Sequence, residues 1–385
     1  VPEPIGGLLA ASAAPLSAPT PTTPTTPSVE PLPEGLRLPG IRLRVESQLA
    51  QFLADRASEF EPEDPFGTLI VEPVADLLLR GGKRIRAALC LWAWAGAGGA
   101  DCEEAVAAAT ALELLHGCAL IHDDVMDASP LRRGGPAVHQ ELTAVHRARG
   151  WRGDPERFGT GAAVAAGDLC LVWADTLLRT SGLPAEALLR AGPAYDWLRT
   201  ETVRGQCLDL LHQADGALRP ADALRTARAK TAAGTTLGPL RLGAELAGAP
   251  EELTAAYAAY GLPLGIAFQL RDDLLGAFGD PAETGKPAGD DLRDGTCTML
   301  LAEARQRVGP RGAAELESLL RDGDGSPSSL RELRALLERC GARAQVEHLA
   351  AEFGTAARQA IDRAPLVDAR MREPLRELVT EVCGA

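Results

Sequence analysis

The chain has 385 residues and a net charge of −14, with 46% hydrophobic and 24% charged residues. That length can bury a large core in one or two domains. The acidic balance and the absence of long Lys/Arg runs argue against nucleic acid as a main partner.

Residues 1–35 form a Pro/Thr/Ala-rich tail: ten of the 28 prolines fall in the first 40 residues. Such a composition cannot bury a core, so the tail is expected to be disordered and residues 36–385 to form the folded domain. No Arg precedes Arg37, a poor fit to a transit peptide. Beyond the tail, Ala, Leu, Glu and Arg dominate. Apolar residues recur every three or four positions through 101–121, 161–181, 221–247 and 313–355. This period predicts helices, and few strand-like alternations appear, so the expected class is all-α. Glycine- and proline-bearing breaks such as Gly81-Gly82, Gly134-Gly135-Pro136 and Gly248-Ala249-Pro250 separate them.

In chain order, the first segment with chemical promise is GGKRIR at 81–86, which is expected to open a helix after a glycine turn. Lys83 and Arg86, three apart, would then share one side near a helix N-terminus, where anions are favoured. Surface cations at helix starts are ordinary, however, and this signal is weak alone. His116 lies about two turns before the stretch His122-Asp123-Asp124-Val125-Met126-Asp127. Asp123 and Asp127, four apart, share a helix face. Two bare carboxylates there repel unless a cation lies between them, and carboxylates suit Mg²⁺ completed by phosphate oxygens. Arg132 and Arg133 follow. The arginine fork binds phosphate in a bidentate way. A second acidic stretch, Asp272-Asp273, ends another apolar run. Either acidic stretch alone reads equally well as a solvated helix end; together with the basic motifs they suggest two walls around a metal-bound diphosphate.

Eight cysteines show no CxxC pair and fall mostly within apolar helical patterns, which reads as small buried hydrophobes in a cytoplasmic protein. No run of 18 uncharged apolar residues exists, because Ala105 to Ile121 contains Glu113 and His116, so no membrane span is expected.

The segments GGKRIRAALC (81–90), LELLHGCALIHDDVMD (112–127), RRGGPAVH (132–139), GWRGDPERFG (150–159), GDLCLVWAD (167–175), ETVRGQCLDL (201–210), AKT (229–231) and AFQLRDDLLGAFGDPAETGKPAGDDLRDG (267–295) stand in one order. That ordered set resembles the trans-isoprenyl diphosphate synthases (the polyprenyl synthetase family), in particular the geranylgeranyl diphosphate synthases of actinobacteria. The resemblance implies an all-α bundle around a central cavity, a homodimer, and three Mg²⁺ ions with substrate bound. It implies that Asp123 and Asp127 hold metal on the allylic diphosphate with Asp124 in support, and that Asp272 holds a third ion with Asp273 behind it. Lys83, Arg86, His116 and Arg133 would bind isopentenyl diphosphate. Arg132, Lys230 and Lys286 would grip the allylic diphosphate (dimethylallyl, geranyl or farnesyl), with Thr231 and Gln269 nearby.

Three departures from the family pattern stand out. The second motif ends in Gly276 rather than Asp. Thr296 replaces the usual Lys before the Thr of the final motif. Gly234-Thr235 replaces an aromatic-Thr or aromatic-Ser pair. The last two are expected on the allylic side, where they make weak activity or a changed primer credible. A non-catalytic subunit of a heteromeric synthase is therefore one alternative. A class I terpene cyclase is another, disfavoured by the missing Asn/Ser/Glu metal triad and by an aromatic content of only 4%. Product length is expected to follow Cys118 and Ala119, the fifth and fourth residues before Asp123. An aromatic there blocks the family's chain tunnel early. These small residues lower its floor toward Leu115, Leu114 and Ala111, which points to a C20 product.

Overall fold

The computed structural model describes residues 31–61, 64–216, 219–279, 298–322 and 327–384. The compact unit runs from Leu32 to Ala385 and starts a few residues before the expected boundary. A 3₁₀ turn at Glu34–Leu36 already belongs to it, because Leu36 is buried and its carbonyl accepts from Trp92 Nε1 at 2.9 Å. The expectation of a disordered tail falls on residues 1–30, outside the described residues.

The all-α expectation holds. The helices are α1 (Leu38–Ala57), α2 (Glu72–Leu79), α3 (Ile85–Gly96), α4 (Glu103–Met126), α5 (Val138–Ala148), α6 (Pro155–Arg179) and α7 (Ala185–Asp215). They continue with α8 (Pro220–Thr226), α9 (Gly238–Ala247), α10 (Glu251–Phe278), α11 (Met299–Arg307), α12 (Pro310–Asp322), α13 (Pro327–Arg339), α14 (Ala342–Arg363) and α15 (Arg372–Cys383). Starts follow local chemistry. Asp154 caps α6 by accepting from the Glu156 N–H with Pro155 at the first helical position, and Thr298 caps α11.

Helix α4 is buried at every position from Ala105 to Leu114, which marks a helix enclosed by others rather than one lying on a surface. It packs along α6, while α10 packs along α14. By length and hydropathy alone α4, α6 and α10 could each cross a membrane, but 72% of the apolar window of α4 is buried inside the bundle.

Two local features escape the helical periodicity. Leu131–Arg132 pairs antiparallel with Gly135–Pro136 as a two-residue ribbon. Its turn residues Arg133 and Gly134 both have positive φ, 51° and 74°, as the twist of a tight hairpin requires. The second feature is an 11-residue π-helical stretch, Ala227–Leu237, between α8 and α9. π geometry is rare and concentrates at functional sites. It lies so close to α7 that a Cβ at Gly205 would fall 2.2 Å from the Lys230 nitrogen, and so close to α10 that a Cβ at Gly265 would fall 2.4 Å from Ala232 Cα. Glycine at those two positions lets both helices press against the segment that carries Lys230 and Thr231.

Candidate active site

A cavity of about 810 Å³ opens between α4, α6, α7 and the π stretch. Arg86, His116, Cys118, Ala119, Asp123, Lys230 and Thr231 line it, together with Gly234 and Thr235.

At its mouth, α4 ends as expected just after the first motif, with Asp127 as the cap residue donating its N–H to the Asp123 carbonyl at 2.8 Å. Lys230 Nζ lies 3.1 Å from Asp123 and 2.7 Å from Asp209 of α7. Burial alone would lower the Lys230 ammonium, but Asp123 and Asp209 outweigh it and hold it well above its ordinary value. Asp127 is exposed as a residue, yet crowding at the helix end desolvates its carboxyl. With the Asp123 charge, that raises it to about 6. This is the strain expected of carboxylates that need a cation between them. Among the described residues no three His, Cys, Asp or Glu side chains group into a self-sufficient metal site. Asp123 and Asp127 instead supply one or two carboxylates, the share Mg²⁺ takes from protein when phosphates complete its shell.

Asp124 behaves differently. It is 1% exposed, does not line the cavity, and accepts the Arg132 guanidinium through Nε at 2.7 Å and through Nη2. The ribbon aims Arg132 at this carboxylate, so the pair is a buried ion pair joining the ribbon to α4. Both bonds fall on Oδ1, and Oδ2 is buried without a hydrogen-bond partner.

The basic motif also departs from its expectation. Helix α3 starts at Ile85, and Arg84 before it takes a left-handed φ of 54°. Lys83 therefore precedes the helix and shares no helical face with Arg86. Lys83 is exposed and pairs with Glu381 of α15 at 2.7 Å, outside the cavity lining. Arg84 turns inward instead, with its side chain wholly buried against Glu113 at 3.2 Å and the Leu78 carbonyl at 2.7 Å. Arg86 reaches the cavity and donates to the Gly234 carbonyl at 3.2 Å and to Thr235 Oγ1 at 2.7 Å. The Gly234-Thr235 departure thus sits against the Arg86 guanidinium.

Arg133, at the ribbon turn, donates to the Leu77 carbonyl at 3.0 Å. His116 lies among these cations. Burial, then Arg86, Arg133, Arg132 and Arg84, drive its imidazole well below the ordinary value, and its Nδ1 is buried without a hydrogen-bond partner. Burial lowers even the Arg86 guanidinium to about 10. Arg84, Arg86 and Arg133 stand around one neutral imidazole, and the carboxylates paired there, Glu113 and Glu46, both fall on Arg84, an arrangement suited to an arriving anion.

The second motif meets this site through side chains. Thr231 hydrogen-bonds to Gln269, and Gln269 donates to Asp273 at 2.8 Å. The other Asp273 oxygen accepts the Met299 N–H at 3.0 Å, so Asp273 holds the start of α11. Asp272 follows Arg271 on α10 and makes its own contacts. Lys286 and Thr296 lie outside the described residues.

Below the mouth, the cavity descends along Ala119, Leu115 and Leu112 of α4. Cys118 lines it too, its Sγ 3.7 Å from His122 Nδ1. Leu114 and Ala111 do not line it. They are fully buried in the core, so of the three expected residues Leu115 lines the cavity, with Leu112 about a turn below it. Sequence reading missed Asp209, the buried Glu113–Arg84 pair, and the far wall on α6 and α7 (Asp168, Leu171, Val203, Leu210). Asp209 lay in plain view within the quoted segment 201–210, four residues after the glycine that admits Lys230.

The polyprenyl synthetase family model matches residues 68–337. The chain is 33% identical over 307 residues to a geranylfarnesyl diphosphate synthase of Aeropyrum pernix, covering 79% of this chain and 90% of that protein. It is 37% identical over 224 residues to a geranylgeranyl diphosphate synthase of Mycobacterium tuberculosis, 58% of each. In structure it is similar to a geranylgeranyl pyrophosphate synthase from Corynebacterium glutamicum complexed with isoprenyl diphosphate and magnesium. The TM-score is 0.83 and the identity 40%, over 90% of this chain and 99% of that one. The chain belongs to the polyprenyl synthetase family and is a trans-prenyltransferase.

Proposed function

We propose that the enzyme condenses an allylic diphosphate with isopentenyl diphosphate, acting on primers up to farnesyl diphosphate and releasing geranylgeranyl diphosphate (C20). The observation that carries this reading is the charge-lined mouth above an apolar shaft that the small side chains of Cys118 and Ala119 leave open toward Leu115 and Leu112. Arg86, His116 and Arg133 bind the isopentenyl diphosphate. Lys230, with Asp123 and Asp209 already on it, binds and orients the allylic diphosphate. Mg²⁺ held by Asp123, Asp127 and Asp272 would supply positive charge to the leaving diphosphate, and three ions are proposed. The allylic C–O bond ionises inside the cavity, away from bulk water, and the isopentenyl double bond attacks the freed carbon. Loss of a proton to the released diphosphate leaves a product longer by one five-carbon unit.

The same reading makes the enzyme a cytoplasmic homodimer whose long apolar helices serve the core rather than span a bilayer. Incubating purified protein with dimethylallyl, geranyl or farnesyl diphosphate plus isopentenyl diphosphate, with mass spectrometry of the products, tests it. C20 should accumulate from all three primers, and Cys118→Phe should shorten the product. Farnesyl diphosphate as the end product of the unaltered chain would overturn the C20 assignment, and an inert protein would favour the non-catalytic subunit.

A further inference from the structure

Resting on that reading, we infer that Arg199 of α7, clamped by Asp175 and Asp196, is the floor of the elongation cavity and the residue that stops growth at C20. Arg199 lines the large cavity and also a second, smaller one of about 200 Å³ walled by Leu178, Leu188 and Leu246. Among the described residues no other lines both. Its Nη1 lies 2.7 and 3.0 Å from the two Asp175 oxygens, its Nη2 pairs with Asp196, and its guanidinium stacks 4.5 Å from the centre of the Tyr195 ring. Three partners from two helices thus hold one partly exposed side chain where the two cavities meet, with both carboxylates reaching solvent.

Three helices agree on its depth. Lys230 ties Asp209 of α7 to Asp123 at the mouth, and Arg199 lies ten residues below Asp209, roughly 15 Å along the helix. On α6, Asp168 lies 3.7 Å from His122, and Asp175 follows seven residues further, about 10 Å deeper. On α4, Asp123 to Leu112 is eleven residues, about 16 Å. At roughly one isoprene unit per 5.4 Å turn, the shaft holds about three units. A C15 primer fits and can be extended once. The C20 chain then has no further depth to occupy.

The floor resists in a way that a leucine would not. A hydrocarbon end pressed onto Arg199 must strip water from an ion pair and offers no hydrogen bond in return. Leu115 and Leu112, by contrast, can change rotamer against an apolar chain at little cost. The smaller cavity behind Arg199 is where further units would go.

The test compares products made from farnesyl diphosphate with excess isopentenyl diphosphate by the unaltered enzyme, Arg199→Ala, and Arg199→Ala combined with Leu188→Phe. Arg199→Ala should raise the ratio of C25 and longer products to C20 at least tenfold, and Leu188→Phe, which fills the second cavity, should restore the C20 limit. If Arg199→Ala does not fold, Asp175→Asn, which releases one side of the clamp, should lengthen the product in the same direction. A folded, active variant with unchanged product length would overturn the floor assignment while leaving the C20 reading standing. An unaltered enzyme that stops at another length would sink the C20 reading instead, and lengthening by Arg199→Ala would still identify the floor.

Discussion

The two sides of this cavity that we assign to the two diphosphates carry cations in different states of pairing. On the allylic side every cation described already has a carboxylate: Lys230 lies between Asp123 and Asp209, and Arg132 holds Asp124. On the isopentenyl side Arg84, Arg86 and Arg133 crowd a neutral His116, with Glu113 paired to Arg84. The first side must exchange partners to take up substrate, whereas on the second both carboxylates, Glu113 and Glu46, fall on Arg84 and leave Arg86 and Arg133 without one. Metal-assisted ionisation fits a side whose carboxylates and lysine can be redistributed. Simple anchoring of the second substrate fits a side with a standing surplus of positive charge.

The comparison breaks most visibly at adjacent aspartates. Asp123→Ala should lower kcat by at least about a thousandfold, because metal charge on the leaving diphosphate is worth several kcal/mol. Lys230 keeps Asp209, so the fold and Tm should hold. Asp124→Ala should do the reverse. It strands Arg132 beside a buried void and should cost about 3–5 kcal/mol of stability by denaturant titration. If both variants lose rate alone, Asp124 is a metal ligand and the Arg132 pair is incidental. On the other side, Arg86→Ala removes charged hydrogen bonds worth about 1.5–3 kcal/mol. The KM for isopentenyl diphosphate should rise roughly ten- to a hundredfold, with the allylic KM within a few-fold of unchanged.

How much of this was legible follows from what each feature depends on. The helices, the position of the first motif at a helix end and the family came from periodicity and from ordered local motifs, which the chain carries in plain text. The helix start at Ile85 was misread because GGKR looks like a helix opening, while the buried pairing of Arg84 with Glu113, 29 positions away, holds Arg84 in a left-handed conformation. Arg132 and Arg133 looked like two adjacent phosphate ligands. A hairpin turn sends one to Asp124 and the other to the Leu77 carbonyl. The cavity wall was legible only in part for a third reason: Leu114 and Leu115 are equivalent in composition, and only packing decides which one faces the cavity. Asp209 and Arg199 depend on the close approach of α7 to the π stretch and to α6, contacts that no local pattern encodes.

The charge surplus should also be visible in acid. Burial and the surrounding guanidiniums depress the folded-state pKa of His116, so the folded protein refuses a proton that the unfolded chain accepts below about 6.5. This group therefore costs nothing above that pH and removes stability progressively as pH falls below it. The Tm of His116→Gln should fall less steeply than that of the unaltered protein between pH 7 and 5. Inorganic diphosphate should flatten the slope in the unaltered protein, because an anion at the cluster favours the protonated imidazole. Parallel slopes with and without the substitution would mean that His116 is solvated and the cation cluster is not closed.

The smallest effect decides whether Lys83 belongs to the surplus side at all. It is 71% exposed in its side chain and pairs with Glu381, so it stands outside the cavity although the family resemblance gives it a substrate contact. An exposed pair of this kind contributes about 0–1 kcal/mol and weakens with salt. Lys83 can therefore leave Glu381 for a phosphate at almost no cost, and Glu381 acts as a weak competitor for it. Glu381→Gln should then lower the KM for isopentenyl diphosphate by up to about fivefold at low ionic strength, with the gain fading as salt is added. Lys83→Ala should raise the same KM and abolish the response to Glu381→Gln. If Lys83→Ala leaves the KM and its salt dependence unchanged, Lys83 only tethers α15, and anion binding belongs to the inward-facing arginines and His116.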